Sequence, residues 1–181
     1  MDRSHEVEGL MMVAKLMCAA ARTAPKGRGV DLLVTHILTG EEKSSVAAHM
    51  REIGTKVKQP FFLRDADNLD AAPAAVLLGT RVEPMGVDFY CDMCGFGSCQ
   101  QTKERGGICI FNSHDLGIAV GSAASVASRH HIDCRIMYTI GIAARDLNLL
   151  GEGIRIAMGI PLSVTGKNIF FDREKKKEEK K

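Results

Sequence analysis

The chain has 181 residues, 45% of them hydrophobic, with no Trp, nine Met and a formal net charge of +2. That length suits one ordinary domain with a normal buried core. The charge is local: "EKKKEEKK", 174–181, holds five Lys and three Glu, so the body is formally neutral, which argues against a nucleic-acid groove with its clustered basic charge.

At the N-terminus, Asp2, Glu6 and Glu8 stand where a secretory signal carries basic residues, and Lys15 breaks the apolar run. No stretch approaches the roughly 20 apolar residues of a membrane span. The expected setting is therefore the cytoplasm, where thiols stay reduced. Val7, Leu10, Ala14, Met17 and Ala21 recur at helical spacing and predict a helix to about Arg22. Pro25, Gly27 and Gly29 then enforce a loop. "VDLLVTHIL", 30–38, reads as a strand, and Thr39 with Glu42 forms a capping-box pattern before a helix carrying Val46, Met50 and Ile53. "FFLRDADNLDAA" reads as an extended piece with a polar turn or brief helix, and Asp65 and Asp67 as turn residues. "AAVLLG", 74–79, is short and wholly apolar, as a buried central strand is.

Residues 86–110 are glycine-rich and aperiodic. Beyond them, Ser113 is the expected N-cap of a long helix of small residues, in which Gly117 and Gly121 predict a close helix contact, at a dimer seam or within the core. A short strand or turn, a further helix, and a strand stopped by Pro161 and Gly166 complete the order. The expectation is a single α+β domain over 1–173 with an inserted cysteine loop, and a disordered charged tail at 174–181.

That loop carries the chemistry. Cys91, Cys94, Cys99 and Cys109 are spaced C-x2-C-x4-C-x9-C. Two thiolates separated by two residues chelate neighbouring corners of one centre, and Gly95 lets the chain wrap closely after the second. A structural zinc site draws more often on two separated pairs of cysteines. Three thiols in one loop and a fourth arriving alone favour a [4Fe–4S] cluster, with zinc as the alternative. Lys103 and Arg105 are placed to offset a cluster's negative charge.

"CDMCGFGSC" resembles the C-x-x-C-G-x-x-x-C motif of iron–sulfur domains in electron-transport complexes and corrinoid iron–sulfur proteins, although the fourth cysteine is nearer here. With "AARTAPKGRGVD", "LRDADNL", "DLGIAVGSAASVA", "IPLS" and "GKNIFFDR", nearly the whole chain resembles a bacterial and archaeal family of uncharacterised proteins described as containing a ferredoxin domain. The running order of "AARTAPKGRG", "DLGIAVGSAASVA" and "MGIPLS" is also similar, more weakly, to flavin-dependent nitroreductases. That resemblance implies a nitroreductase-like α/β sandwich, a homodimer, and FMN as a candidate cofactor. The chain departs from that family at Lys26, which replaces the usual Ser, and lacks the loop Asn and an N-terminal R-x-S-x-R element.

Arg22, Pro25, Lys26 and Gly27, with Arg28, suit an anion such as the FMN phosphate; the alternative is a helix-ending loop whose basic side chains face water. Lys167, in "VTGKN", is a further candidate for an anionic cofactor, but the surrounding residues do not make a phosphate loop. His130, His131 and Cys134 read as a helix end, and Cys18 as a small buried hydrophobe. The expected function is an iron–sulfur redox protein, acting as a flavin-assisted oxidoreductase or an electron carrier, with an unidentified donor or acceptor. The alternatives are a zinc-stapled binding protein and a cluster-based sensor without turnover.

Overall fold

A computed structural model describes residues 3–88 and 90–171; the expected tail at 174–181 lies outside the described residues. The first helix, α1 (Ser4–Thr23), buries Leu10, Val13, Ala14, Met17 and Ala21 on one face, as its periodicity predicts. A 3-10 turn at 27–29 leads to β1 (Leu33–Leu38), α2 (Gly40–Val57), α3 (Pro60–Ala71) and β2 (Ala74–Arg81). After the cysteine segment come α5 (Ile110–Arg129), β3 (Asp133–Cys134), α6 (Tyr138–Asp146) and β4 (Ile154–Ser163); a short helix, α4 (Cys99–Glu104), lies inside that segment.

The four strands make one antiparallel sheet in the order β1-β2-β4-β3. Along β2, Ala74, Val76 and Leu78 enter a core formed with α1 and α5, while Ala75 and Leu77 enter a second core with α2, α3 and α6. The molecule is thus layered helix–sheet–helix, and β2 is apolar from Ala74 to Gly79 because both its faces are covered there. The expected mixed α+β class is what the structure has.

Several local expectations give way to tertiary context. Residues 60–71 form a full helix: Pro60 opens it, and Phe62, Ala66 and Leu69 bury one side. Asp65 is no turn residue. It is 5% exposed, bound by the Arg64 guanidinium, and accepts a hydrogen bond from buried Thr139 at 2.9 Å, tying α3 to α6. Asp67 pairs with Arg51. Thr39 does cap α2, but its side chain makes no capping bond, and Glu42 is held instead by His36 at 2.6 Å. The long helix starts at Ile110 with Cys109 as its N-cap, before Ser113. It packs on α1 through Ala119, Ala123 and Ala127, whereas a side chain at Gly117 or Gly121 would meet nothing within 4 Å.

Pro161 does not stop β4; it pairs with Ala75 of β2 inside the strand. Gly159 exchanges both backbone hydrogen bonds with Met137, so two residues on the Pro161 nitrogen faces the same side, toward Arg135. Proline has no N–H to donate there. The ladder between β3 and β4 is accordingly interrupted between Cys134 and Met137, and β3 is two residues long.

Candidate functional site

The four cysteines of the 91–109 stretch are brought around one hollow by three short pieces of chain. Beyond β2 the backbone runs out to Cys91, then turns tightly: the Gly95 N–H donates to the Asp92 carbonyl at 3.0 Å, and the Gly97 N–H to the Asp92 carboxylate at 2.7 Å. Gly95 and Gly97 take φ of 73° and 81°, which the turn requires. Ser98 caps α4 by accepting from the Gln101 N–H, which sets Cys99 at the first position of that helix. Cys109, 3% exposed, arrives from the other side as the residue before α5. The Phe96 ring lies against Gly107 and so holds the outgoing and returning arms together. The hollow is narrow, with a cavity volume of about 10 Å³, and is lined by all four cysteines together with Met85 and Phe111.

Its donor set suits a thiophilic centre. The four cysteines are free of disulfides. The Ile110 N–H donates to the Cys94 sulfur at 3.2 Å, and the Cys99 N–H to the Asp88 carboxylate at 2.5 Å. Burial pushes the Cys99 thiol up, as does the Asp88 carboxylate against it, while the amides of Val87 and Gly86 pull the other way. N–H groups aimed at sulfur are the contacts that stabilise thiolate and tune a metal it holds. No three His, Cys, Asp or Glu side chains among the described residues converge at metal-ligating distance, so the thiols surround a shared space without being drawn into coordination geometry. Arg105 stacks on Phe96 at 6.0 Å from its centroid, and Lys103 lines the groove outside Cys99.

The basic loop after α1 has other partners. Lys26 Nζ donates to the carbonyls of Ala21, Arg22 and Ala24, at 3.2, 2.6 and 3.1 Å, and so caps the C-terminus of α1. Arg22 binds Asp31 and the Leu33 carbonyl, both at 2.7 Å, and that guanidinium helps hold the Asp31 carboxyl below its usual range despite partial burial. The Gly27 N–H is taken by Asp115 at 3.0 Å. Lys26 and the Gly27 N–H are thus engaged within the chain, whereas Arg22 uses only Nη1 of its guanidinium. Pro25 is exposed beside it. Lys167 is elsewhere: neighbouring Asn168 lies with Ser128 and Cys134, and Ser128 stands about 20 Å along α5 from Asp115 at 1.5 Å per residue. The loop does adjoin the thiol hollow, because Gly27 rests on Phe111 and the Arg28 guanidinium binds the Met85 carbonyl.

The lesser candidates take structural places. His130 is the C-cap of α5, and His131 continues with a φ of 56°. Burial pushes both Cys18 and Cys134 up. The 164–168 stretch is a turn in which the Thr165 hydroxyl donates to the Lys167 carbonyl at 2.6 Å. Sequence reasoning missed Asp88, Phe96 and Asn112. Asp92 carries a visible signal, an Asx followed three residues later by Gly; the other three act on partners distant in sequence.

A model of the family described as "Uncharacterized protein containing a ferredoxin domain" matches residues 105–173. An uncharacterised protein of Archaeoglobus fulgidus is 38% identical over 185 residues, covering 97% of this chain and 98% of its own. Among solved structures, a BluB-like flavoprotein from Clostridium difficile superposes with a TM-score of 0.59 at 15% identity, covering 98% of this chain and 87% of that one. Nitroreductase CinD from Lactococcus lactis, solved with nicotinic acid, gives 0.56 at 15% identity, covering 95% and 86%. At those identities the likeness is one of fold, and the fold is nitroreductase-like.

Proposed function

The chain belongs to the family of uncharacterised proteins containing a ferredoxin domain, and from that premise we propose that it is an iron–sulfur redox protein on a nitroreductase-like body. Cys91, Cys94, Cys99 and Cys109 would hold a [4Fe–4S] cluster. The observation that carries this reading is that all four thiols line one hollow. Such a cluster supplies one-electron transfer when bound. The chain's own contributions are the amide of Ile110 on Cys94, the amides of Gly86 and Val87 on Cys99, and a wall of Met85 and Phe111 that limits water. The donor or acceptor is a partner yet to be identified.

The flavoprotein among the structural neighbours supports FMN as a second component. Its phosphate would meet Arg22, whose Nε and Nη2 are not committed to Asp31 or Leu33, in a loop where Lys26 and the Gly27 N–H already have partners within the chain, and no step is routed through it. Met12 and Leu16 are exposed on α1 and Ile118 on α5, and Gly117 and Gly121 of α5 face open space, which supports a homodimer as the working particle. Among the described residues no helix is long and apolar enough to cross a membrane; a cytoplasmic setting, which keeps thiols reduced, is part of the proposal.

The test is a visible absorption spectrum of protein purified without oxygen, with iron and sulfide assayed on the same sample. The expected result is broad brown absorbance that bleaches with reductant and is lost in Cys94→Ala. Structured yellow bands would add a flavin. A colourless, folded protein holding one zinc would replace the redox reading with the zinc-stapled one, and light scattering of the same sample reads the homodimer.

A further inference from the structure

The cysteine segment leaves the body at the end of β2 and returns at α5, and two residues close its neck. The Glu83 N–H donates to Asn112 Oδ1 at 3.1 Å. Between them lie residues 84–111, with all four cysteines and α4. Other side-chain hydrogen bonds from the body to this segment come from Arg28 to the Met85 carbonyl and from Arg155 to the Gly106 carbonyl, and the Asn112 N–H itself donates to the Cys109 carbonyl at 3.0 Å. Both arginines are exposed residues, and water competes most directly for the bond of Arg155. Asn112 is 1% exposed, so the acceptor end of its bond to Glu83 is shielded from water.

The other end of the same amide is unsatisfied: Asn112 Nδ2 is buried and has no hydrogen-bond partner among the described residues. Asn112 lines a small enclosed cavity with Lys26, Leu33, Thr80, Asp115 and Leu116. The Lys26 ammonium already donates to three carbonyls, and Asp115 accepts from Gly27. Thr80 and Asp115 retain acceptor capacity. A ligand here must accept from Nδ2 and donate to an oxygen, in a space that admits about one water molecule.

We propose that Asn112 is the positioning residue that clasps the neck of the thiol segment, Oδ1 holding Glu83 and Nδ2 holding one buried water. The carboxamide thereby fixes where the segment leaves and where it returns, two turns of chain that set Cys91 and Cys109 on opposite sides of the hollow. The consequence for metal rests on the iron–sulfur reading above; the clasp itself does not.

Hydrogen exchange of the metal-free protein tests the clasp. In Asn112→Ala the amides of 84–111 exchange about tenfold faster, the loss expected of one hydrogen bond to a buried acceptor, while those of α2 and α3 keep their rates. Glu83→Pro deletes the same bond from the donor's side with Asn112 intact, and gives the same pattern if the first variant folds poorly. Equal acceleration everywhere, or none in the segment, overturns the proposal. Transfer of magnetisation from a long-lived water to the Asn112 side-chain amide reads the water, and its absence removes that half. Cobalt(II) then probes the thiols: its thiolate charge-transfer bands weaken in both variants relative to the parent. A parent chain that shows no such bands sinks the metal reading and leaves the exchange result standing.

Discussion

Lys26 shows how a basic residue in a loop can be spent before any ligand arrives. Its ammonium is matched to three carbonyls at the end of α1, and its side chain is only 6% exposed. Lys26→Met should therefore cost about 2 kcal/mol of stability in denaturant unfolding and leave phosphate affinity unchanged. A variant of normal stability with lost phosphate binding would restore the anion site that the sequence suggests. The thiols were legible at this scale because chelation imposes a spacing that survives as text. Asn112, Asp88 and Phe96 were not, since each acts on a backbone group or residue that only the fold brings near: Glu83, Cys99 and Gly107. Lys26 is the opposite case, as its charge is visible in the sequence and its three carbonyl partners are not.

Among the elements, α6 and β4 meet through missing side chains. A Cβ on Gly141 would stand 1.9 Å from the Ala157 carbonyl oxygen, and one on Gly159 would stand 2.3 Å from Ile140. Backbone cannot yield as a flexible side chain can, so Gly141→Ala should destabilise by about 3 kcal/mol, the upper end of overpacking costs. Gly9→Ala, in α1 with nothing within 4 Å, should change stability by roughly 1 kcal/mol in the other direction. Thermal melts of both variants check the pair, and equal shifts would refute the steric account. The helices with apolar periodicity were legible, as was β2 from its composition. The helix at 60–71 was hidden by "DADNLD", whose acidic residues look like a turn until Thr139 and Arg51 are seen to receive them. Pro161 was misread because proline's usual exclusion from strands presumes a partner waiting for its N–H, and here the partner strand has lapsed.

For the whole molecule, both cores are assembled without the cysteine segment: neither contains a residue between 82 and 109. Folding should therefore not depend on metal, unlike that of small zinc domains. Chelated, anaerobic protein is expected to keep its helix content by circular dichroism and a cooperative melt, with metal raising the melting temperature only by mass action. Collapse of the far-ultraviolet signal on chelation would contradict that independence. The mixed α+β class was legible from the order of elements, whereas the layering was not, because it depends on which face of β2 each helix covers.

The sheathing of β2 on both faces has a cost in folding fidelity. A strand with one wet face is locked in place by its alternation, since a one-residue slip would expose its apolar set. Here a slip would trade one greasy face for another, and hydrophobicity alone would scarcely object. The objection comes from Gly79, where a side chain would lie 2.8 Å from Leu150 and 2.9 Å from Ile154. A strand shifted by one residue would thrust Leu78 or Thr80 into that gap. An absent side chain thus serves as the proofreading step for the pairing of β2 with both its neighbours, and misaligned, aggregation-prone intermediates are rejected by crowding rather than by contact with water.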